Sequence, residues 1–188
     1  MSIRVARPEP GIVTVTIDSA STVNAITQTM LVDLASAFKG MAEDKSVRAV
    51  ILTGAGRKAF STGINLGDAE KVFKMDEHDR DKDIVYQMER CPFPIIGAIN
   101  GWAINAGFEI SLACDMLLAS PRAKFLDSHA KLGILPSWGL SQKLPRIVGP
   151  NVAKRVSLCC QPLDAEEAMR CGLVNSVIAE EGDEGGWR

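Results

Sequence analysis

The order of apolar and polar positions along the chain predicts strands and helices that follow one another. Residues 12–17 alternate and are rich in β-branched side chains, which is typical of a half-buried strand. Apolar residues then recur at helical spacing from Met30 to Met41, which predicts an amphipathic helix. Similar patterns predict strands at 47–53, 94–99, 115–119 and 173–178, and helices within 68–89 and at 107–114, 137–147, 152–159 and 164–172. Ser137 and Asp164 are the expected N-caps of two of these helices.

Strands that alternate with helices indicate an α/β fold. The length of 188 residues suits one domain with a substantial core. We find no internal repeat or linker before residue 180, so we expect residues 1–179 to form that domain. Residues 180–188 show neither an apolar period nor a helix signal, and they predict an irregular tail.

Composition and charge narrow the classes of protein that the sequence suggests. With 46% hydrophobic and 23% charged residues, the chain has the composition of a folded globular protein. The net charge of -2 gives no reason to expect nucleic acid or an anionic membrane as a partner. No apolar run approaches the length of a membrane span. The five cysteines form no CxxC pair and lack histidines at ligand spacing, so we expect reduced thiols and no metal site.

One glycine motif imitates a dinucleotide-binding fingerprint. Residues 54–59 match the pattern G-x-G-x-x-A directly after a predicted strand. That fold needs an amphipathic helix to begin at the glycines, whereas residues 60–63 interrupt any helix there. We therefore interpret the glycines as a turn and do not expect a nicotinamide or flavin cofactor.

Two further loops, residues 60–67 and 100–109, each follow an apolar strand and contain glycine. Small residues at such a position let a substrate approach backbone N–H groups, which can stabilise developing negative charge. Glu109 falls in the first turn of the helix that follows the second loop. Alternatively, both loops are ordinary turns and Glu109 is an exposed charge that favours the helix dipole. The residues alone leave both interpretations open.

Both loops resemble the signature segments of the enoyl-CoA hydratase/isomerase (crotonase) superfamily. The similar segments are residues 54–65 and 100–115, with further matches at 23–26, 131–136, 164–168 and 172–175. These matches are collinear from Val13 to Ile178, which makes them far more specific than any single motif. Residues 106–109, 129–131 and 136–144 are most similar to the plant monofunctional peroxisomal hydratases of that superfamily.

The resemblance implies a spiral of ββα units that binds an acyl-CoA thioester. The thioester carbonyl would accept hydrogen bonds from two backbone N–H groups, which map onto Ile64 and Ala106. The resemblance places a catalytic glutamate at Glu109. It implies no metal and no redox cofactor, because CoA is part of the substrate. The expected substrate-binding residues are Ala25, Ile64, Asn65, Leu66, Gly67, Ala106 and Gly107.

The sequence departs from the family pattern at the second catalytic glutamate, whose position is occupied by His129. In one interpretation, neutral His129 orients the water while Glu109 transfers the proton. In another, Asp127 and His129 share a face of an extended segment and form a dyad. In a third, His129 is structural and the activity is weak or different. All three are open at this stage.

Three functions are compatible with the resemblance. The leading one is hydration of trans-2-enoyl-CoA in fatty-acid β-oxidation. The second is isomerisation of an enoyl-CoA or hydrolysis of an acyl-CoA thioester on the same fold. The third is a shortened homologue that binds acyl-CoA with little turnover.

The family resemblance also implies assembly and location. Members of the family normally continue with several helices after the position of Ile178, and these build trimers that pair into hexamers. Because this sequence does not contain them, we expect weaker assembly. The plant relatives are peroxisomal, whereas residues 186–188 are not a peroxisomal address, so a cytoplasmic location is the alternative.

Overall fold

The computed structural model describes residues 2–75 and 79–178, whose strands form two sheets. The predicted tail at 180–188 lies outside the described residues. The larger sheet contains, in spatial order, β1 (Ser2–Glu9), β2 (Ile12–Asp18), β3 (Ala49–Gly54), β5 (Ile95–Ile99), β7 (Met116–Ala119) and β10 (Ser176–Val177). The smaller sheet contains β4 (Ala59–Ser61), β6 (Trp102–Ile104), β8 (Lys124–Leu126) and β9 (Leu163–Asp164).

Within the described residues the helices are α1 (Gln28–Glu43), α2 (Ala69–Phe73), α3 (Ile84–Glu89), α4 (Ala106–Ser111), α5 (His129–Leu132), α6 (Leu140–Val148), α7 (Pro150–Leu158) and α8 (Ala165–Arg170). The helix α1 connects two strands of the larger sheet, and the other helices follow strands of the smaller sheet. Short 3₁₀ turns lie at Ala20–Thr22 and Leu66–Asp68. Within residues 2–75 and 79–178, no helix has the length and apolar character needed to cross a membrane.

Successive strands pass from the larger sheet to the smaller sheet and then into a helix. β3 is followed by β4, β5 by β6 and α4, and β7 by β8 and α5. The larger-sheet neighbours from β2 to β7 are parallel, whereas β1 pairs antiparallel with β2. This order confirms the predicted α/β fold and its ββα units, and it brings the loops after β4, β6 and β8 to one side of the smaller sheet.

The core lies between the larger sheet and the helices, and it continues under the smaller sheet. Val13, Val15 and Ile17 alternate inward along β2, as the sequence pattern predicts. The ring centroids of Phe108 on α4 and Phe125 on β8 lie 5.3 Å apart, and both side chains belong to the core. Full burial of each such side chain contributes about 1.5–3 kcal/mol to the stability of the fold, so α4 and β8 are firmly packed against the core.

The sequence pattern missed some elements and misplaced others. It did not predict β1, whose residues are mostly exposed, nor the short strands of the smaller sheet. The predicted strand at 173–178 is reduced to Ser176–Val177. Asp164 does cap α8, by accepting a hydrogen bond from the N–H of Glu167 at 2.8 Å. The prediction of Ser137 as a cap is wrong, because α6 begins at Leu140 after Gly139.

Candidate active site

A cavity of about 1080 Å³ opens where the loops after β4, β6 and β8 meet. Both predicted catalytic side chains, Glu109 and His129, line it. The predicted substrate-binding residues that line it are Ala25, Ile64, Asn65, Leu66 and Ala106. Gly67 and Gly107 are not among the residues that line it. Gly67 instead donates its N–H to the side chain of Asn65 at 2.9 Å.

The loop after β4 is fixed by a backbone ladder to the segment before α1. Ile26 and Ile64 form a parallel bridge, in which Ile26 donates to the carbonyl of Gly63 at 2.8 Å and Asn65 donates to the carbonyl of Ile26 at 2.9 Å. In this pattern Ile26 bonds to Gly63 and Asn65, the residues on either side of Ile64. The N–H of Ile64 therefore points away from Ile26, as an oxyanion donor requires.

The loop after β6 packs directly on the loop after β4. Gly63 has φ +91°, and a Cβ at this residue would lie 2.9 Å from the carbonyl oxygen of Ile104 and 3.5 Å from the nitrogen of Ala106. A Cβ at Gly107 would lie only 2.4 Å from the carbonyl oxygen of Ser61. The glycines thus allow the two loops to approach. Ala106 is the first residue of α4, so no carbonyl within the helix accepts its N–H.

Glu109 is buried, with 3% of its surface exposed, although it lies in the first turn of α4. The interpretation of Glu109 as an exposed helix-dipole charge is therefore wrong. Its Oε1 atom accepts hydrogen bonds from the backbone N–H of Trp138 at 2.8 Å and of Leu140 at 3.3 Å. Burial raises the pKa of Glu109, and the negative charge of Asp127 adds to the rise, while hydrogen bonds from the N–H groups of Leu140 and Trp138 oppose it.

The carboxylate of Glu109 also satisfies the start of α6, where the sequence had predicted a serine cap. The first N–H groups of a helix need acceptors outside the helix, and Gly139 before α6 has no side chain to supply one. Glu109 accepts the N–H of Leu140 instead. The folding of α6 and the orientation of the carboxylate are thereby coupled.

His129 begins α5 and is 8% exposed, with its side chain at the cavity wall. Its Nδ1 atom lies 2.8 Å from Oδ1 of Asp127, and its backbone N–H donates to the same oxygen at 3.0 Å. Burial acts to raise the pKa of Asp127, but hydrogen bonds from His129 and Ser157 outweigh it and hold that pKa below its usual value. The predicted contact between Asp127 and His129 is present, but the prediction that it forms along an extended segment is wrong. The chain turns at Ser128 rather than continuing extended.

Sequence reasoning missed Asn105 and, apart from Leu66, the apolar rim of the cavity. Asn105 lines the cavity wall between the two loops and has a positive φ. The sequence does not predict this φ, because the residue is not glycine. The rim consists of large apolar side chains that are exposed around the opening: Leu66, Phe73, Leu132 and Leu135. Such surfaces suit an acyl chain. Their helical or loop positions carry no periodic signal that distinguishes them from core residues.

These groups can stabilise an oxyanion and move a proton within one cavity. The N–H of Ile64 points away from Ile26, and the N–H of Ala106 has no acceptor within its own helix. A carboxylate and an imidazole line the same wall, each fixed by a hydrogen-bonded partner. Among the described residues no group of three or more His, Cys, Asp and Glu side chains is arranged to hold a metal ion.

Comparisons with known proteins identify the family of the chain. The sequence profile of the enoyl-CoA hydratase/isomerase family matches residues 7–185. A relative from Arabidopsis thaliana, "Probable enoyl-CoA hydratase 1, peroxisomal", is 55% identical over 95% of this chain and 67% of its own length. The chain spans about two thirds of the length of the curated relatives it matches.

Solved structures show the same fold. The crystal structure of an enoyl-CoA hydratase from Bacillus anthracis matches with a TM-score of 0.83 and 32% identity, over 94% of this chain and 70% of that one. A monofunctional enoyl-CoA isomerase from M. smegmatis matches with a TM-score of 0.79 and 32% identity, over 94% of this chain and 77% of that one. The chain therefore belongs to the enoyl-CoA hydratase/isomerase family.

Proposed function

We propose that the chain carries the catalytic site of an enoyl-CoA hydratase that adds water to trans-2-enoyl-CoA. The observation that carries the proposal is the buried Glu109 carboxylate, held by backbone N–H groups in the same cavity as His129. A buried carboxylate is costly unless it is paired or used, and an anchored carboxylate at a cavity wall is suited to general acid–base chemistry. The apolar rim is consistent with an acyl chain.

In this proposal the thioester carbonyl lies between the N–H groups of Ile64 and Ala106. Negative charge develops on that oxygen when water attacks C3 of the double bond, so preorganised donors lower the barrier. Loss of one such donor typically costs about 10²–10³ in rate. The packing of Gly63 against the backbone of Ile104 and Ala106 supports this step, because it holds the two donor loops in contact.

The water oxygen bonds to C3 while Glu109 takes a proton from that water. Glu109 then returns the proton to C2 of the enolate. The carboxylate is regenerated, and the product is a 3-hydroxyacyl-CoA. A general base of this kind contributes about 10²–10⁴ in rate. The raised pKa of Glu109 favours the first of these steps, because a stronger base accepts the proton more readily from water.

His129 orients the water in this proposal. The carboxylate of Asp127 can only accept hydrogen bonds, so the contact at 2.8 Å assigns the proton of the neutral ring to Nδ1. Nε2 is then an acceptor for one hydrogen of the water, while Glu109 accepts the other. A neutral imidazole thus takes the positioning role that a second carboxylate has in the family pattern.

The proposal extends to cofactors, assembly and location. Proton transfer and oxyanion stabilisation need no metal or redox group, and CoA enters as part of the substrate. We expect the substrate to come from fatty-acid β-oxidation and the protein to be peroxisomal, as the name of the Arabidopsis relative says of that protein. We expect trimers and hexamers only where further helices complete the subunit.

The test is hydration of crotonyl-CoA, followed by loss of the enoyl-thioester absorbance, with wild-type chain and Glu109→Gln. Glu109→Gln should lower kcat by about 10²–10⁴. The matched control is Glu166→Gln, because Glu166 lies on α8 with its side chain 81% exposed; it should leave kcat unchanged. Wild-type chain that binds CoA thioesters without turnover would contradict the proposal and identify a binding homologue.

Isomerisation of the double bond is the second candidate. It is favoured by the match to the M. smegmatis isomerase and by the single carboxylate, Glu109, at the predicted pair of catalytic positions. Moving a proton between C2 and C4 of the acyl chain needs one base and no bound water. Product analysis separates the two reactions, since hydration adds an oxygen and isomerisation does not.

A further inference from the structure

Asn105 immediately precedes the predicted oxyanion donor Ala106 and has an unusual backbone conformation. Its φ is 48° and its ψ is -115°, a region that side chains with a Cβ rarely adopt. Glycine would enter this conformation without steric cost. When a residue with a Cβ occupies this position, its side-chain contacts must offset the free energy of the backbone strain.

The side chain of Asn105 holds the turn that leads into His129. Its Oδ1 atom accepts the backbone N–H of Ser128 at 2.7 Å and the hydroxyl of Ser128 at 3.1 Å. A backbone N–H can only donate, so this contact fixes which end of the amide faces Ser128. The backbone of Asn105 also donates to the carbonyl of Leu126 at 3.0 Å, so both contacts join the loop after β6 to the turn after β8.

We propose that Asn105 is a positioning residue that couples the oxyanion hole to the histidine of the site. Its backbone conformation orients the N–H of Ala106, and its side-chain carbonyl fixes the turn from which His129 enters the cavity. The inference rests on the proposed function, because it assigns Asn105 to the same reaction. It differs from a purely structural role in requiring that both the hole and His129 respond to one substitution.

The test begins with Asn105→Gly, which permits the same backbone conformation but removes the contact with Ser128. We expect a folded protein in which kcat for crotonyl-CoA falls about tenfold while KM changes less than about threefold, because misplaced groups weaken the transition state more than substrate binding. The matched control is Asn175→Gly. The Oδ1 atom of Asn175 likewise accepts a backbone N–H, that of Leu117 at 2.8 Å, outside the cavity. It should change thermal stability but not kcat.

A double-mutant cycle separates positioning from general loosening. In a His129→Gln background, Asn105→Gly should lower kcat by clearly less than it does in wild-type chain, since residues that act through one another are not additive. Equal effects in both backgrounds, or a wild-type kcat for Asn105→Gly, would overturn the proposal.

Acetoacetyl-CoA makes the test independent of hydration, because its enolate absorbs in the near ultraviolet and reports the oxyanion hole directly. Wild-type chain should bind it partly as the enolate, and Asn105→Gly should reduce that absorbance at saturation. If wild-type chain enolises this thioester but hydrates nothing, the hydratase proposal fails while the inference stands on the absorbance change. An unchanged enolate band in Asn105→Gly, or no enolate with wild-type chain, overturns the inference.

Discussion

The Nδ1 atom of His129 lies 2.8 Å from Oδ1 of Asp127, a carboxylate that is 1% exposed and fixed by further hydrogen bonds. The same oxygen accepts the backbone N–H of His129, so both the ring and its main chain are held by one group. Glu109 is held in a comparable way by the start of α6. Both candidate catalytic side chains are thus held by hydrogen-bonded partners, which is the arrangement that preorganised catalysis requires.

Substitutions of Asp127 distinguish orientation of His129 from charge. Asp127→Ala removes the acceptor for Nδ1, so the ring loses its orientation and kcat should fall by roughly 10². Asp127→Asn keeps an oxygen acceptor of the same shape, and because neutral His129 only orients water, kcat should stay within about fivefold of wild type. Steady-state hydration of crotonyl-CoA measures both. If Asp127→Asn is as damaging as Asp127→Ala, then His129 carries a positive charge in the transition state.

The sequence predicts the parts of this fold that have a long periodic signal. β2 and α1 contain apolar residues at a regular spacing, and β3 and β5 are continuous apolar runs, so all four can be recognised. The strands of the smaller sheet have two or three residues each, which is too few for alternation to show. They form because neighbouring strands of the larger sheet bring their ends together, and this is a tertiary effect.

The candidate site follows the same division. Glu109 and the two loops were proposed from the sequence because their residue types match the family pattern, whereas His129 was proposed from its position alone, since its residue type departs from that pattern. The anchors of Glu109 are not, because they are backbone N–H groups of Trp138 and Leu140, some thirty residues later. The role of Asn105 was also hidden, since a positive φ in a residue other than glycine leaves no local pattern.

The acid limb of the pH profile should reflect Glu109. A general base must be ionised, and burial raises the pKa of this carboxyl, so kcat/KM should fall with decreasing pH at a higher pH than an ordinary glutamate of pKa 4.5 would give. The profile is measured with crotonyl-CoA from mildly acidic to neutral pH. His129→Gln is the control and should keep the limb at lower overall activity. A limb that disappears in His129→Gln would assign it to the imidazole instead.

Glu109→Gln should make the folded chain more stable at neutral pH. The pKa of Glu109 is raised by folding, so its favourable contribution is present below the unfolded pKa and is lost as pH rises through the folded pKa. Glutamine is neutral at every pH and keeps an oxygen for the N–H groups of Trp138 and Leu140. A gain of about 1 kcal/mol raises Tm by roughly 2–4 °C in a domain of this size. Thermal unfolding at several pH values checks this, and the gain should shrink in acid. A lower Tm at neutral pH would contradict it.

Gly107→Ala should disrupt the contact between the two donor loops. The added Cβ would lie 2.4 Å from the carbonyl oxygen and 2.8 Å from the Cβ of Ser61, so β4 or α4 must move. Overpacking of this kind costs about 1–3 kcal/mol, and a displacement of the donors near 1 Å costs roughly 10² in kcat. Urea unfolding and crotonyl-CoA hydration measure the two effects.

Gly40→Ala is the matched control, because Gly40 lies in α1 and a Cβ there would have no neighbour within 4 Å. Alanine is a better helix former than glycine, so this variant should gain about 0.5–1 kcal/mol with unchanged kcat. The pair separates the general effect of glycine replacement from the effect of the loop contact. If Gly107→Ala kept wild-type activity, the two loops would not need to touch at Ser61, and the donor N–H groups would have to be held by the Ile26–Ile64 bridge and the start of α4 alone.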